Sequence, residues 1–235
     1  MEICYEDESV IVVRKPAGIE SQSGRTFAPD MVSLLKKELF LRTGKPNPYV
    51  AVIHRLDRNV EGIMVYGKTA QAASNLSRQV QNHEIQKQYQ ALLTGRLPEH
   101  SGTLTDWLWV DKKNNLTTVV CGDYLGAQKA VLHYALHPLG ETDLFWSFPL
   151  GEEERRTLWV ADIDLITGRH HQIRVQFANA GAPLWGDCKY NPAFAGRRDI
   201  SRIGLCACAL TFRHPVTGRT MRFTLETPCK KTGNK

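Results

Sequence analysis

The sequence predicts an α+β fold built on a mixed, largely antiparallel sheet with flanking helices. Three observations carry that expectation. Strand-length apolar runs outnumber helical patterns, several runs sit at hairpin-like spacing, and regular alternation of strand and helix is missing. At 235 residues the chain has room for one substantial core and too little for two full-sized domains. Hydrophobic residues at 42% and charged residues at 23% exclude a disordered or fibrous chain.

In chain order, Val10–Val13 reads as a strand, stopped by the turn residues Lys15-Pro16-Ala17-Gly18. Residues 30–42 read as a helix: Asp30 caps it, and Met31, Leu34, Leu35 and Leu39 recur at three- and four-residue steps. Val50–Ile53 and Ile63–Tyr66 are short apolar runs suited to buried strands, with HRLDRNVEG between them. Residues 69–82 form a second helical pattern, with Thr69 at the N-cap and Ala72, Leu76 and Val80 on one face. Tyr89–Leu93, Ala130–Leu136 and Leu158–Leu165 have strand character, and 138–156 reads as a hairpin or loop. A helix beginning near Arg169 carries one apolar stripe of Ile173, Phe177 and Ala180 and ends at Gly181 and Pro183. Leu205–Phe212 and Met221–Leu225 are strands joined by the turn His214-Pro215-Val216-Thr217-Gly218.

The formal charge of +6 is unevenly placed. Residues 197–235 hold nine basic and two acidic side chains, whereas the remainder is close to neutral. A clustered surplus favours a polyanion, nucleic acid above all, with a solvated tail as the plain alternative. The acidic start MEICYEDESV has neither the charge nor the apolar run of a targeting segment, and no stretch is long enough to span a membrane. A cytoplasmic, reducing setting is therefore expected, with the six cysteines as free thiols. Cys206 and Cys208 alternate within LCACAL without a C-x-x-C partner pair, which argues against zinc.

Three segments carry chemistry. Asp57 lies in HRLDRNVEG beside His54, Arg55 and Arg58, and cations at that distance keep a carboxylate ionised and attract polyanions. A lone Asp in a loop is otherwise a turn former. Residues 167–177, TGRHHQIRVQF, place Arg169, His170, Gln172 and Arg174 near a helix start, an arrangement suited to phosphate or base contacts. Neighbouring helical histidines diverge by about 100°, which disfavours a metal pair. Lys87-Gln88-Tyr89 sets a cation and an aromatic at the head of a strand, fit either for the core or for stacking on a base. No nucleophile elbow and no phosphate-cradling glycine loop is present.

Together these segments resemble the pseudouridine synthases of the RluA type. The resemblance runs from EDESVIVVRKPAG through VIHRLD, GIMVYGKTAQAASNLSRQ and KQYQALLTG to ITGRHHQIRVQFANAGAPLWGDCKY and LTFRHPVTGRTMRF, almost the whole chain in family order. It implies one pseudouridine-synthase-like catalytic domain over residues 1–235, without the separate N-terminal RNA-binding domain of many relatives. The implied activity is isomerisation of a uridine in structured RNA, ribosomal RNA ahead of transfer RNA, with no metal or organic cofactor. The implied form is a cytoplasmic monomer with no membrane association. By motif position, Asp57 is the catalytic carboxylate, attacking the sugar or removing its 2′ proton. Tyr89 packs on the target uracil, Arg174 pairs with Asp57, and Arg55 holds the flipped nucleotide or the space it leaves. Arg58, Lys87, Arg169, His170 and Gln172 complete the expected RNA contacts, with the basic 197–235 segment on phosphates.

The chain departs from the family pattern at Val60-Glu61-Gly62, where Thr-Ser-Gly is common, at His170 in place of Thr, and at Cys206 in place of His. Two rival readings remain at this level. One is a catalytically silent RNA-binding protein. The other is a glycoside or nucleoside hydrolase, which needs a second carboxylate; Glu61 is the residue to suspect.

Overall fold

The apolar runs pair into a single sheet in the computed structural model, which describes residues 1–23, 29–139, 144, 150–197 and 199–225. Its strands among the described residues are β1 (Glu2–Glu6), β2 (Val10–Lys15), β3 (Ala51–Val52), β4 (Glu61–Gly67), β5 (Gln86–Leu93), β6 (Ser101–Asp111), β7 (Leu116–Val120), β8 (Gln128–Pro138), β9 (Trp159–Leu165), β10 (Leu205–Arg213) and β11 (Thr220–Thr224). The order across the sheet is β1-β2-β4-β10-β5-β9-β8-β6-β7, with β3 against β4 and β11 against β10. Every pairing is antiparallel except β4 with β10. The expected mixed, largely antiparallel sheet is the one observed.

The helices are α1 (Met31–Thr43), α2 (Ala70–Gln81), α3 (Glu152–Thr157) and α4 (Gln172–Asn179). Both expected caps form. Asp30 accepts from the Ser33 N–H at 2.7 Å, and Thr69 accepts from the Ala72 N–H at 3.1 Å. Strand alternation divides the core into two layers. Ile11, Val13, Met64, Tyr66, Tyr89 and Ala91 face α1 and α4, whereas Val10, Val12, Ile63 and Val65 face α2.

The lone parallel pair is a close approach. Ala207 lies opposite Gly62 in register, and Gly62 has φ +142°. A Cβ on Gly62 would stand 2.5 Å from the backbone N and O of Ala207. Gly62→Ala is therefore expected to lose more than about 3 kcal/mol of stability, or not to fold, because both strand backbones would have to part. The urea midpoint of the variant measures this.

Several sequence expectations are corrected. The strand expected over 50–53 shrinks to a two-residue pairing, Ala51–Val52. The β6–β7 hairpin and β1 were not expected at all; their faces alternate between half-exposed polar and apolar residues, so they lack a buried run. Helix α4 starts at Gln172, not near Arg169, because His171 caps it in a left-handed conformation. Its single stripe is also wrong: residues 172–177 are all buried. Of the expected loop 138–156, residues 140–143 and 145–149 lie outside the described residues, and Glu152–Thr157 is helical. Five described cysteines are free thiols; Cys229 lies outside the described residues. Among the described residues, no helix is long and apolar enough to cross a membrane.

Candidate active site

The turn between β3 and β4 brings Asp57 into the lining of a cleft of about 1320 Å³ on the α4 side of the sheet. The loop that follows β2 holds that turn in place. Lys15, wholly buried at the end of β2, donates from Nζ to the carbonyls of Pro16 at 3.0 Å, Ile19 at 2.7 Å and Arg58 at 3.2 Å. The Gly18 N–H donates to the same Arg58 carbonyl at 2.7 Å, and Arg58 Nε returns a bond to the Gly18 carbonyl at 3.0 Å.

Burial pushes the Lys15 ammonium down to about 8, against the pull of Asp57 and Glu61. The unfolded chain keeps this proton to near 10.5, so between those values the unfolded state binds more protons and stability rises with pH. Relative to Lys15→Met, the wild-type chain should gain on the order of 3 kcal/mol as pH rises from about 7 to about 10. Urea unfolding of both at several pH values checks this; a difference that does not vary with pH would contradict it.

Arg174 reaches Asp57 from the first turn of α4. Its Nη1 donates to Asp57 Oδ2 at 2.6 Å, and its Nε and Nη2 donate to Asp187 Oδ2 and Oδ1 at 2.7 and 2.8 Å. Asp187 is fully buried and also accepts the backbone N–H groups of Lys189 and Tyr190 through Oδ1. The guanidinium is thus fixed by a bidentate pair on one side and aims its remaining arm at Asp57. Burial alone would raise the Asp57 carboxyl, but Arg174 and the neighbouring histidines hold it below the ordinary value. No described residue donates to Asp57 Oδ1, so that oxygen is left facing the cleft.

The other expected residues share this cleft, and some of them also hold the structure around it. Arg55, Arg58, Lys87, Tyr89, Arg169 and His170 all line the cleft. Tyr89 is 6% exposed and belongs to the core cluster, so its ring is both floor of the cleft and roof of the core. Arg169 also donates from Nε to the Lys129 carbonyl at 3.1 Å. Gln172 lines the cleft as well, with its amide engaged within the protein. It is buried, its amide oxygen accepts from Thr167 Oγ1 and the Arg169 N–H, and its amide N–H donates to the Val131 carbonyl. It latches the 167–169 turn onto β8.

The basic 197–235 segment meets the cleft through Ile200, Ser201, Ile203 and Leu205. None of its described arginines lines this cleft. Arg197 pairs with Asp199, Arg202 with Glu61, and Arg222 donates to Gln88 on the opposite face of the sheet. Arg198 and 226–235 lie outside the described residues. Arg55, Arg58, Lys87, Arg169, Arg174 and Lys189 supply the cleft's cations.

Sequence reasoning passed over Lys15, His171, Asp187, Lys189 and Tyr190. The usable signals were the adjacent histidines and the GDCKY run. His54, at the head of HRLD, accepts from the Val65 N–H through Nε2 at 3.3 Å and is pushed down to about 3 by burial and then by Lys87. Among the described residues, no cluster of three or more His, Cys, Asp or Glu is placed to hold a metal.

A family profile described as RNA pseudouridylate synthase matches residues 9–179. The chain belongs to that family. It is 31% identical over 243 residues to a Xanthomonas campestris pv. campestris protein named ribosomal large subunit pseudouridine synthase D, covering 97% of this chain and 66% of the relative. The chain thus spans just under two thirds of that relative. It is 28% identical over 232 residues to tRNA pseudouridine synthase C of Yersinia pestis, covering 95% of this chain and 85% of the relative. The structure of human RNA pseudouridylate synthase domain containing 1 shares the fold, with a TM-score of 0.71 at 20% identity over 97% of this chain and 83% of that one.

Within the pseudouridylate synthase family, the hydrolase alternative loses its second carboxylate. Glu61 shares the sheet face of Ile63 and Val65, opposite the Asp57 cleft. There it is buried between Arg14 at 2.8 Å and Arg202 at 2.9 Å. The departure from the family pattern at this position is an internal ion pair tying β4 to β2 and to the segment before β10.

Proposed function

We propose that the chain isomerises a uridine within structured RNA to pseudouridine, with Asp57 as the reacting carboxylate. The observation that carries this reading is the buried Arg174, which fixes one oxygen of Asp57 and leaves the other facing a cleft floored by Tyr89. The reaction breaks the N1–C1′ bond of uridine, turns the uracil, and joins C5 to C1′; the C5 proton leaves and N1 takes up a proton, so the product is an isomer of the substrate. Nothing is oxidised or reduced, so the balance requires no cofactor. Asp57 Oδ1 supplies the carboxylate oxygen for either attack on C1′ or removal of the 2′ proton.

The target base must first leave its stack, at a cost of a few kcal/mol. Stacking on Tyr89 offsets part of that cost and keeps the detached uracil from escaping. Arg55, Arg58, Lys87 and Arg169 contact phosphates along the cleft, with Arg55 at the displaced nucleotide, and His170 contacts the substrate beside Asp57. Ribosomal RNA is the first candidate substrate and transfer RNA the second, in keeping with the names of the two relatives. We place the protein in the cytoplasm as a monomer.

Pseudouridine mapping in total RNA from a strain lacking the gene tests this. One defined site should vanish, return with the wild-type gene, and stay absent with Asp57→Ala. An unchanged map would favour a silent RNA-binding protein.

A further inference from the structure

We propose that His171 is a positioning residue for the Asp57 carboxylate, acting through its Nε2–H, and that Tyr190 and Thr117 fix the tautomer this requires. The proposal rests on the pseudouridine synthase reading and adds a group to its machinery. His171 Nε2 stands 3.6 Å from Asp57 Oδ2, the oxygen that also accepts from Arg174 Nη1. On the other side of the ring, His171 Nδ1 lies 2.7 Å from the Tyr190 hydroxyl. That hydroxyl oxygen accepts the Thr117 backbone N–H at 2.8 Å and has its own hydrogen available to donate to Nδ1.

Burial drives the imidazole pKa down to about 3, although Asp57 pulls the other way, so the ring is neutral and carries one proton. A bare nitrogen lone pair facing a carboxylate oxygen would be repelled. The proton therefore sits on Nε2, and Nδ1 accepts from Tyr190. The 3.6 Å separation is longer than a hydrogen bond; such contacts tighten when substrate fills a site.

The ring is held firmly for this purpose. His170 stacks on it at 3.7 Å and 27°, and Tyr190 meets it edge-on at 5.5 Å and 79°. Its backbone is left-handed, with φ 51° and ψ 21°, a conformation in which glycine would carry no strain. With Arg174 and His171 both on Oδ2, Oδ1 is the oxygen presented to the sugar. Thr117 belongs to β7, so the β6–β7 hairpin is joined to the carboxylate through one tyrosine and one histidine. The charged and titratable groups facing Asp57 are Lys15 from β2, Tyr89 from β5, His170, His171 and Arg174 at the start of α4, and Lys189 from the segment that follows it.

His171→Leu and His171→Gln test the proposal in the full-length protein. Both keep a Cβ in the left-handed position and fill similar space, but only glutamine returns an N–H near the place of Nε2. The assay is tritium release from [5-³H]uridine-labelled RNA of a strain lacking the gene, followed across pH. His171→Leu should lower kcat ~10- to 100-fold with KM little changed, and should move the acid limb to higher pH as Asp57 loses a donor. His171→Gln should recover most of the rate and restore the limb. Equal loss in both variants, or no loss in either, overturns the proposal.

Turnover by the wild-type protein in the same assay separates failure of this proposal from failure of the RNA reading. A second readout needs no turnover: imidazole ¹⁵N spectra should show His171 protonated at Nε2 and bare at Nδ1 at neutral pH. Tyr190→Phe should mix the two tautomers. A wild-type ring protonated at Nδ1 overturns the proposal whatever the activity.

Discussion

Arg174→Ala should lose about 3–5 kcal/mol of stability and nearly all activity together. The stability loss comes from Asp187. That carboxylate is fully buried, and its Arg174 bonds at 2.7 and 2.8 Å are its charge compensation. Removing one partner of a buried pair leaves the other charge stranded in a medium that cannot solvate it. The activity loss comes from Asp57, whose burial is then unopposed by the guanidinium, so its carboxyl rises toward neutrality. Arg174→Lys should recover little, because one ammonium cannot replace a fork that grips Asp187 with two N–H groups and reaches Asp57 with a third. Thermal unfolding with a pH–rate profile reads both effects. A stable, active Arg174→Ala would show that the Asp187–Arg174–Asp57 chain is not what organises the site.

Asp57→Ala should separate the same two quantities. Its activity should vanish, while its stability stays within about 1 kcal/mol of wild type. The carboxylate is 30% exposed on its side chain, and without it Arg174 keeps its bidentate pair with Asp187. RNA affinity should hold or rise, since the cleft loses a negative charge among Arg55, Arg58, Lys87 and Arg169. Filter binding and urea unfolding measure these. A large stability loss would recast Asp57 as a structural anchor of its loop.

The parts of the fold legible in the sequence were those where one local pattern decides the outcome. Glu61–Gly67 is buried along its whole length, and its central apolar run announces that. Asp30 and Thr69 cap their helices because N-capping involves residues only two or three apart. The β6–β7 hairpin was missed because Thr, Asp and Trp alternate there without a uniformly apolar face; the Asp111 turn, whose side chain accepts the Lys113 and Asn114 N–H groups, was the available signal.

The site divides in the same way. Asp57, Tyr89 and Arg174 were legible through their motifs, and the ion pair between Asp57 and Arg174 spans 117 positions that only the motifs joined. Asp187 was not legible as the holder of Arg174, because a carboxylate in a loop looks the same whether it faces water or a guanidinium. Glu61 was misread for a related reason. Its polarity suggested catalysis, but the fold buries it between two arginines. The basic C-terminal segment shows that net charge does not report direction: its described arginines lie off the cleft, and the cations of the cleft come from residues 55–189.

The most direct measurement is tritium release from [5-³H]uridine-labelled RNA of a strain lacking the gene, by purified wild-type protein and by Asp57→Ala. The wild-type protein should release the C5 tritium of one defined uridine and Asp57→Ala none, with both binding the RNA. No release by the wild-type protein, or equal release by both, would contradict Asp57 as the carboxylate of a pseudouridine-forming site.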